Sequence, residues 1–155
     1  MSEPSVLFVC LGNICRSPLA EAAFRAQAER VRLAAGADSA GTGDWHVGSP
    51  PDPRAQAVAL RHGIDISGYR GRQVRAEDFH RFSHIFALDG TNLRDLRGIR
   101  PADGTAHLAL LMDLVPGREG TNVTDPYFGD AAGFDVTWRD VTLAAAALAE
   151  KLSGR

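Results

Sequence analysis

A short loop near the start of the chain begins at Cys10 and ends with Arg16. It follows an apolar run that predicts a buried strand over Ser5–Cys10, and it precedes a helical pattern from Pro18 to about Leu33. A strand–loop–helix connection of this kind directs backbone N–H groups, a guanidinium and a helix N-terminus toward one small space beside a sulfur atom. The loop therefore predicts a binding site for a tetrahedral oxyanion, most often phosphate.

Strand and helix patterns alternate along the rest of the chain. The apolar run Ala106–Met112 fits either a strand or a short helix, and we favour a strand because Pro116 and Gly117 follow it. The other predicted strands are Ala37–Gly41 and Ser83–Leu88. The other predicted helices are Pro53–Arg61, one from about Asn92, and Phe134–Leu152. Because this alternation is typical of parallel sheets covered on both faces, we predict a single-domain, three-layer α/β sandwich.

Two local patterns refine this expectation. Ligands of such folds bind at the carboxyl ends of the strands, where Cys10 and Asp89 both lie in the predicted scheme. In the first helix, Leu19 and Ala23 mark the apolar face, whereas Glu21 points elsewhere. The oxyanion site predicted from the loop thus coincides with the site expected from the fold.

Size, charge and cysteine content limit the class of protein. The length of 155 residues predicts one domain over residues 1–155. The net charge of −2 indicates no general attraction to nucleic acid or to acidic membrane surfaces. No apolar run approaches the roughly 18 residues of a membrane span, and no secretory signal is evident. The only cysteines, Cys10 and Cys15, share one loop rather than forming spaced staples, so we expect a cytoplasmic protein.

The residue types of the loop predict nucleophilic chemistry on phosphorus. A free thiol is mostly protonated at neutral pH, so Cys10 needs the N–H dipoles and Arg16 to favour its thiolate form. The planar guanidinium of Arg16 can bind two phosphate oxygens at once. Gly12 permits a tight turn, and Asn13 tolerates a left-handed conformation. Ser17 has two alternative roles, as the N-cap of the helix or as a hydroxyl donor to the sulfur. The pattern predicts a cysteine-dependent phosphatase.

The segment Val9–Pro18 closely resembles the phosphate-binding loop of the low-molecular-weight protein tyrosine phosphatase family. Further segments similar to that family follow in the family's order: Asp38–Thr42, Trp45–Gly48, Pro51–Arg54, His62–Ile64, Arg72–Val74, Leu88–Asp89 with Asn92, and Asp125–Tyr127. Several ordered motifs are harder to meet by chance than one, and the resemblance covers nearly the whole chain.

The resemblance implies a fold and a reaction. It implies a four-stranded parallel sheet with flanking helices, and no metal or organic cofactor. It implies a phosphoric monoester hydrolase for phosphotyrosine and aryl phosphates, in which Cys10 forms a cysteinyl-phosphate and Arg16 binds the phosphate. It also implies that Asp125 protonates the leaving phenolate and later activates water. From the residues alone, Asp125 is either a mobile acid at the mouth of the site or an exposed turn aspartate before a proline.

Further site residues follow from the same resemblance. The implied substrate-binding residues of the loop are Leu11, Gly12, Asn13, Ile14, Cys15 and Ser17. Trp45 and Tyr127 would line a deep cleft and stack on a phosphotyrosine ring, although isolated aromatic residues more often serve packing. Cys15 would form a disulfide with Cys10 under oxidation, or it is simply a small buried residue.

Two supporting residues complete the expected site. By resemblance, the side chain of Asn13 holds the shape of the loop, with Ser39 as its partner. Tyr69 stands where many family members have a histidine that supports the same asparagine, and its hydroxyl would substitute for that histidine. Phe128 replaces the second tyrosine of a frequent Tyr-Tyr pair, so only Tyr127 of that pair remains.

Other functions remain as alternatives at this point. An arsenate reductase on the same scaffold would need an external thiol, because no cysteine follows Cys15. A thioredoxin-like site is disfavoured because the spacing is Cys-x4-Cys. A non-catalytic phosphotyrosine-binding module would need neither Cys10 nor Asp125. The expected partner is a phosphotyrosine-containing protein, with a bacterial-type tyrosine kinase as one candidate, and we expect a monomer.

Overall fold

A four-stranded parallel sheet forms the centre of the molecule, in a computed structural model that describes residues 3–154. Its strands are β1 (Ser5–Cys10), β2 (Gly36–Gly41), β3 (His84–Ala87) and β4 (His107–Leu110). Their order across the sheet is β2-β1-β3-β4, and every neighbouring pair is parallel. The strand that precedes the Cys10 loop is therefore central, with a neighbour on each side.

The described residues form five α-helices between and after the strands. They are α1 (Arg16–Arg30), α2 (Pro53–Arg61), α3 (Asp78–Arg81), α4 (Gly90–Ile99) and α5 (Ala131–Leu152), and a 3-10 turn spans Leu111–Leu114. Among residues 3–154, no helix combines the length and the apolar character that a membrane span requires. The α/β sandwich predicted from the alternating patterns is confirmed.

Successive residues of β1 face opposite sides of the sheet and feed two separate cores. Phe8 packs among buried residues of α1 and α5, including Phe24 and Val141. Its neighbour Leu7 packs on the other face with Phe79 and other residues near α3 and α4. This period of two is inherent to a strand, and a strand buried on both faces reads as the unbroken apolar run seen in the sequence. Burial of one such side chain contributes about 1.5–3 kcal/mol.

Several boundaries differ from the predictions. Helix α1 begins at Arg16 rather than Pro18 and ends at Arg30 rather than near Leu33. Only the middle of the run Ala106–Met112 is a strand, because β4 ends at Leu110 and a 3-10 turn follows. The run is therefore a strand followed by a short helical turn, and the fully buried side chains of the turn are Leu111 and Met112.

The last helix starts earlier than predicted, and one short helix was not predicted. Helix α5 begins at Ala131, three residues before the predicted start at Phe134. Helix α3 is a single turn, and its buried residues are Asp78 and Phe79. A turn of this length has too few residues to establish a helical period, and the packing of Phe79 on the sheet stabilises it instead.

Candidate active site

The Cys10 loop is hydrogen-bonded to neighbouring backbone through its carbonyl groups. Thr42 N donates to Cys10 O (2.9 Å), Gly43 N to Leu11 O (2.9 Å) and Asp52 N to Ile14 O (2.8 Å). Next to these donors, Gly41 packs so closely that a Cβ atom there would lie 2.8 Å from Leu11 O. The segment after β2 therefore fixes the loop, and it does so only because residue 41 lacks a side chain.

The N–H groups of the loop remain available for a ligand. Within residues 3–154, five of them have no acceptor in the protein, namely those of Leu11, Gly12, Ile14, Cys15 and Arg16. The same five residues line a cleft that also contains Cys10. Convergent, unpaired N–H groups at the start of a helix form a binding site for an anion. These N–H groups are the donors that the oxyanion site predicted from the sequence would use.

Cys10 lies at the bottom of this cleft. Only 3% of its surface is exposed, because it is the last residue of the central strand. Its Sγ atom lies 3.0 Å from Ser17 Oγ and accepts a hydrogen bond from Asn13 N at 3.3 Å. The sulfur is therefore held between a hydroxyl group and a backbone N–H group at the base of the loop.

The structure decides between the two roles considered for Ser17. The N-cap position of α1 is Cys15, and no side-chain capping bond is formed there. Ser17 lies inside the first turn, and its Oγ accepts from Asn13 Nδ2 at 2.8 Å. The single hydroxyl proton has two acceptors within reach, Cys10 Sγ at 3.0 Å and Ala40 O at 3.4 Å, and the sulfur is the nearer. The capping role was wrong, since the helix starts earlier than Pro18 suggested.

Asn13 connects the loop to the rest of the site. Its backbone is left-handed, with a φ of 59°, as its residue type allows. Its Nδ2 also donates to Ser39 Oγ at 3.0 Å, and its Oδ1 accepts from Arg72 N at 3.0 Å. The amide is thereby bonded at both ends, which holds the loop in its compact conformation. The contribution of Arg72 is a backbone bond and left no signal in the residue type.

A buried carboxylate extends this network beyond Ser39. The sequence pattern places Glu21 away from the apolar face of α1, where exposure is usual, yet only 5% of the residue is exposed. Ser39 Oγ donates to Glu21 Oε1 at 2.9 Å, and Arg25 Nε donates to Oε2 at 2.9 Å. Burial raises the pKa of Glu21 above its usual value, although the hydrogen bonds from Arg25 and Ser39 oppose that effect.

Tyr69 does not make the contact expected of it. Within the described residues, the amide of Asn13 bonds to Ser17, Ser39 and Arg72, and no hydrogen bond joins it to Tyr69. Tyr69 packs against the core beside α1. Its pKa is raised to about 12, mainly by burial and then by the charge of Glu21. The expected substitution for a histidine is therefore corrected: the tyrosine side chain lies in this cluster without bonding to Asn13.

The guanidinium of Arg16 bonds to a carboxylate that follows β3 and to a backbone carbonyl in the segment before α5. Its Nη1 lies 2.6 Å from Asp89 Oδ2 and donates to Val123 O at 3.1 Å. Asp89 follows β3 and also accepts from Asn92 N at 2.7 Å as the N-cap of α4. The orientation of the guanidinium is thus determined by a carboxylate from the neighbouring strand. The position of Asp89 beside Cys10 at the sheet edge was the sequence signal for this contact.

Asp125 lies across the cleft from the loop. Its Oδ2 is 3.6 Å from Arg16 Nη2, and its Oδ1 accepts from Tyr127 N at 3.1 Å. The side chain is 40% exposed, so solvent and substrate have access to it. A carboxyl group at this position can exchange a proton with a group bound beside Cys10.

Aromatic side chains form the upper walls of the cleft, which has a volume of about 230 Å³. Trp45 and Tyr127, both named from the sequence, line it, and Trp45 is 69% exposed. Two further lining residues, His46 and Phe128, were not predicted. His46 directly follows Trp45, and Phe128 directly follows Tyr127. Their positions next to the two predicted aromatic residues were the sequence signal that could have identified them as cleft residues. A planar ring fits between such walls.

The second cysteine of the loop has different surroundings. Cys15 is buried, and it is a free thiol, as is Cys10. Burial raises the pKa of Cys15 well above its usual value, and the nearby carboxylate of Asp52 adds to that effect. The Cys15 thiol therefore stays protonated, which separates it chemically from Cys10 in its hydrogen-bonding pocket.

Comparisons with known proteins identify a family of similar chains. The family model for low molecular weight phosphotyrosine protein phosphatase matches residues 5–155. The low molecular weight phosphotyrosine protein phosphatase of Schizosaccharomyces pombe is 44% identical over 132 residues, which cover 83% of this chain and 84% of that protein. The human protein of the same name is 39% identical over 151 residues, covering 95% and 94%. The crystal structure of YfkJ from Bacillus subtilis superposes with a TM-score of 0.91 at 38% identity, covering 99% and 97%.

Proposed function

The chain belongs to the low molecular weight phosphotyrosine protein phosphatase family, and from this premise we propose the role of each residue in phosphotyrosine hydrolysis. Cys10 is the nucleophile, Arg16 and the free N–H groups of the loop bind the phosphate, and Asp125 transfers protons. The observation that carries this assignment is the position of Cys10, which lines the same cleft as the residues with free N–H groups and has Ser17 Oγ 3.0 Å from its Sγ.

In the first step, the thiolate of Cys10 attacks phosphorus and forms an S–P bond. The P–O bond to the phenol breaks, and the leaving oxygen takes the proton of Asp125 as its electron pair departs. The phosphoryl oxygens gain hydrogen bonds from the loop and from the Arg16 guanidinium. Interactions of this kind are effective because the donors are already oriented before the reaction.

In the second step, a water molecule attacks the phosphorus of the cysteinyl-phosphate. Asp125, now a carboxylate, accepts the proton of that water. The S–P bond breaks, inorganic phosphate is released, and the sulfur leaves as a thiolate. The hydroxyl of Ser17 donates to the sulfur and thereby favours its departure.

The lining of the cleft supports the proposal that the substrates are proteins that contain phosphotyrosine. Trp45 and Tyr127 can contact the two faces of an aryl ring, and their exposure leaves space for a protein segment. We propose a bacterial-type tyrosine kinase as one candidate substrate. We also propose that the protein acts as a monomer, and the two free thiols support a reducing, cytoplasmic location.

The test is hydrolysis of p-nitrophenyl phosphate at about pH 6, with a chelator present, by the wild type and by Cys10→Ser. We expect turnover by the wild type and none by the variant, with binding of inorganic phosphate retained in both. Activity of Cys10→Ser close to the wild type would exclude Cys10 as the nucleophile. Inactivity of both proteins, with vanadate still bound, would indicate a binding module or a reductase that requires an external thiol.

A further inference from the structure

Residues Asp52 and Arg54 at the start of α2 connect the two halves of the site; we refer to them as the Asp52–Arg54 bridge. On one side, Asp52 N donates to Ile14 O in the phosphate-binding loop at 2.8 Å. On the other side, Arg54 Nη2 donates to Tyr127 O at 2.9 Å, and Arg54 Nη1 donates to Gly129 O at 3.0 Å. Both carbonyl groups belong to the segment that carries Asp125.

Asp52 and Arg54 are also hydrogen-bonded to each other. Asp52 is the N-cap of α2, and its Oδ1 accepts from Arg54 N at 2.8 Å. The same carboxylate accepts from Arg54 Nε at 3.0 Å and from Nη2 at 3.0 Å. The guanidinium carbon also lies 4.7 Å from the centre of the Phe134 ring. A guanidinium bound through two of its nitrogens has a defined plane, so the remaining donors point in fixed directions.

The acid-bearing segment, residues 124–130, is otherwise bound mainly at its ends. Before it, Val123 N donates to Leu88 O at 2.8 Å, which attaches the chain to the end of β3. Thr137 Oγ1 on α5 donates to Thr124 O at 3.3 Å. Downstream of Asp125, the two bonds from Arg54 attach the segment to α2. Asp125 lies between these attachments and itself contacts Arg16 at 3.6 Å, so the Arg54 bonds act together with that contact to set its distance from the loop.

We propose that Arg54 is a positioning residue for the reaction: it fixes the acid-bearing segment against the phosphate-binding loop, so that Asp125 faces the leaving group. This inference rests on the proposed function, in which Asp125 is the general acid. Arg54 donates only to backbone carbonyls and to Asp52 and does not line the cleft, so it acts through Asp125. Displacement of a catalytic group by about 1 Å can lower a rate about 10²-fold.

Charge supports the same assignment. The hydrogen bonds from Arg54 hold the pKa of Asp52 below its usual value, so the two side chains stay paired as ions near neutral pH. Lysine at position 54 would keep the positive charge, but its single ammonium lacks the planar set of donors that contacts Asp52 and two carbonyl groups together. The proposal therefore predicts that charge alone does not replace Arg54.

The experiment compares kcat/KM for two substrates, phosphotyrosine and p-nitrophenyl phosphate. Departure of the phenol falls within the steps that kcat/KM reports, and the phenol of phosphotyrosine depends more on protonation. For Arg54→Gln we expect a loss of roughly tenfold or more with phosphotyrosine and about threefold or less with p-nitrophenyl phosphate. Arg54→Lys should show the same pattern. The matched control is Arg61→Gln, because Arg61 lies on the same helix and pairs with exposed Asp135 on α5.

A double variant distinguishes positioning from general loss of structure. In the Asp125→Asn background, Arg54→Gln should reduce kcat/KM by less than about twofold, because the group that it positions is already absent. An equal loss with both substrates, or an undiminished effect in the Asp125→Asn background, would overturn the inference. If Asp125→Asn itself shows no dependence on the leaving group, the proposed role of Asp125 fails instead.

Discussion

Ser17 Oγ lies 3.0 Å from Cys10 Sγ, in a contact where either atom can be the donor. Asn13 Nδ2 donates to Ser17 Oγ at 2.8 Å and to Ser39 Oγ at 3.0 Å. When Cys10 is a thiolate, the sulfur can only accept, and the Ser17 hydroxyl then has Cys10 Sγ as its nearer acceptor and Ala40 O, at 3.4 Å, as its farther one. Donation to the sulfur would complete a chain of donors from the Asn13 amide to Cys10.

Ser17→Ala should slow the breakdown of the cysteinyl-phosphate more than its formation. Hydrogen bonds to charged groups contribute about 1.5–3 kcal/mol, which corresponds to a decrease in kcat of roughly tenfold to a hundredfold. Single-turnover kinetics with p-nitrophenyl phosphate should show an accumulated phosphoenzyme. The control is Ser67→Ala, an exposed serine outside this network. An unchanged kcat in Ser17→Ala would show that the hydroxyl does not assist the sulfur.

Asp125→Asn should make the reaction depend on the quality of the leaving group. We expect kcat/KM for phosphotyrosine to fall about 10²-fold to 10³-fold, with a much smaller decrease for p-nitrophenyl phosphate. The matched control is Asp130→Asn in the same loop, whose exposed side chain makes no capping bond to α5. Equal losses for both substrates would mean that Asp125 is not the acid.

Asp89→Asn tests how the orientation of Arg16 is set. Asparagine can still cap α4 through its side-chain oxygen, but it removes the charge that lies 2.6 Å from Arg16 Nη1. We expect kcat/KM to fall roughly tenfold, because the guanidinium loses its fixed plane. Inhibition by phosphate should change less, since loss of the carboxylate also removes repulsion of the anion. Asp95→Asn, on the exposed side of α4, is the control, and wild-type kinetics in Asp89→Asn would contradict this role.

Glu21→Gln should change how stability depends on pH. The pKa of Glu21 is raised in the folded protein, mainly by burial, so the folded state binds its proton more tightly than the unfolded state does. This contribution to stability is complete below the unfolded pKa and is lost as pH rises through the folded pKa. The Tm of Glu21→Gln relative to the wild type should therefore increase between about pH 4 and pH 8. Thermal unfolding measured across that range tests this, and a constant or decreasing difference would contradict it.

Much of the fold follows from local sequence. The apolar run before Cys10 marks a strand buried on both faces, and the alternation of patterns gives a parallel sheet with helices on each side. Boundaries were less certain, because the first turn of α1 begins within the loop at Arg16 rather than at Pro18. A helix end depends on hydrogen bonds to residues outside the helix, and these are not evident from the local pattern.

The sequence by itself determined which candidate reacting groups stand together, because a cysteine, an arginine and a glycine within one loop are local features of the chain. The tertiary structure alone decided which distant residues support them. It joins Asn13 to Ser39, Arg16 to Asp89, and Arg54 to the acid-bearing segment, and it leaves Tyr69 without a bond to Asn13. Local spacing specifies which groups the loop presents, but the directions of hydrogen bonds between separate strands and helices depend on how those elements pack.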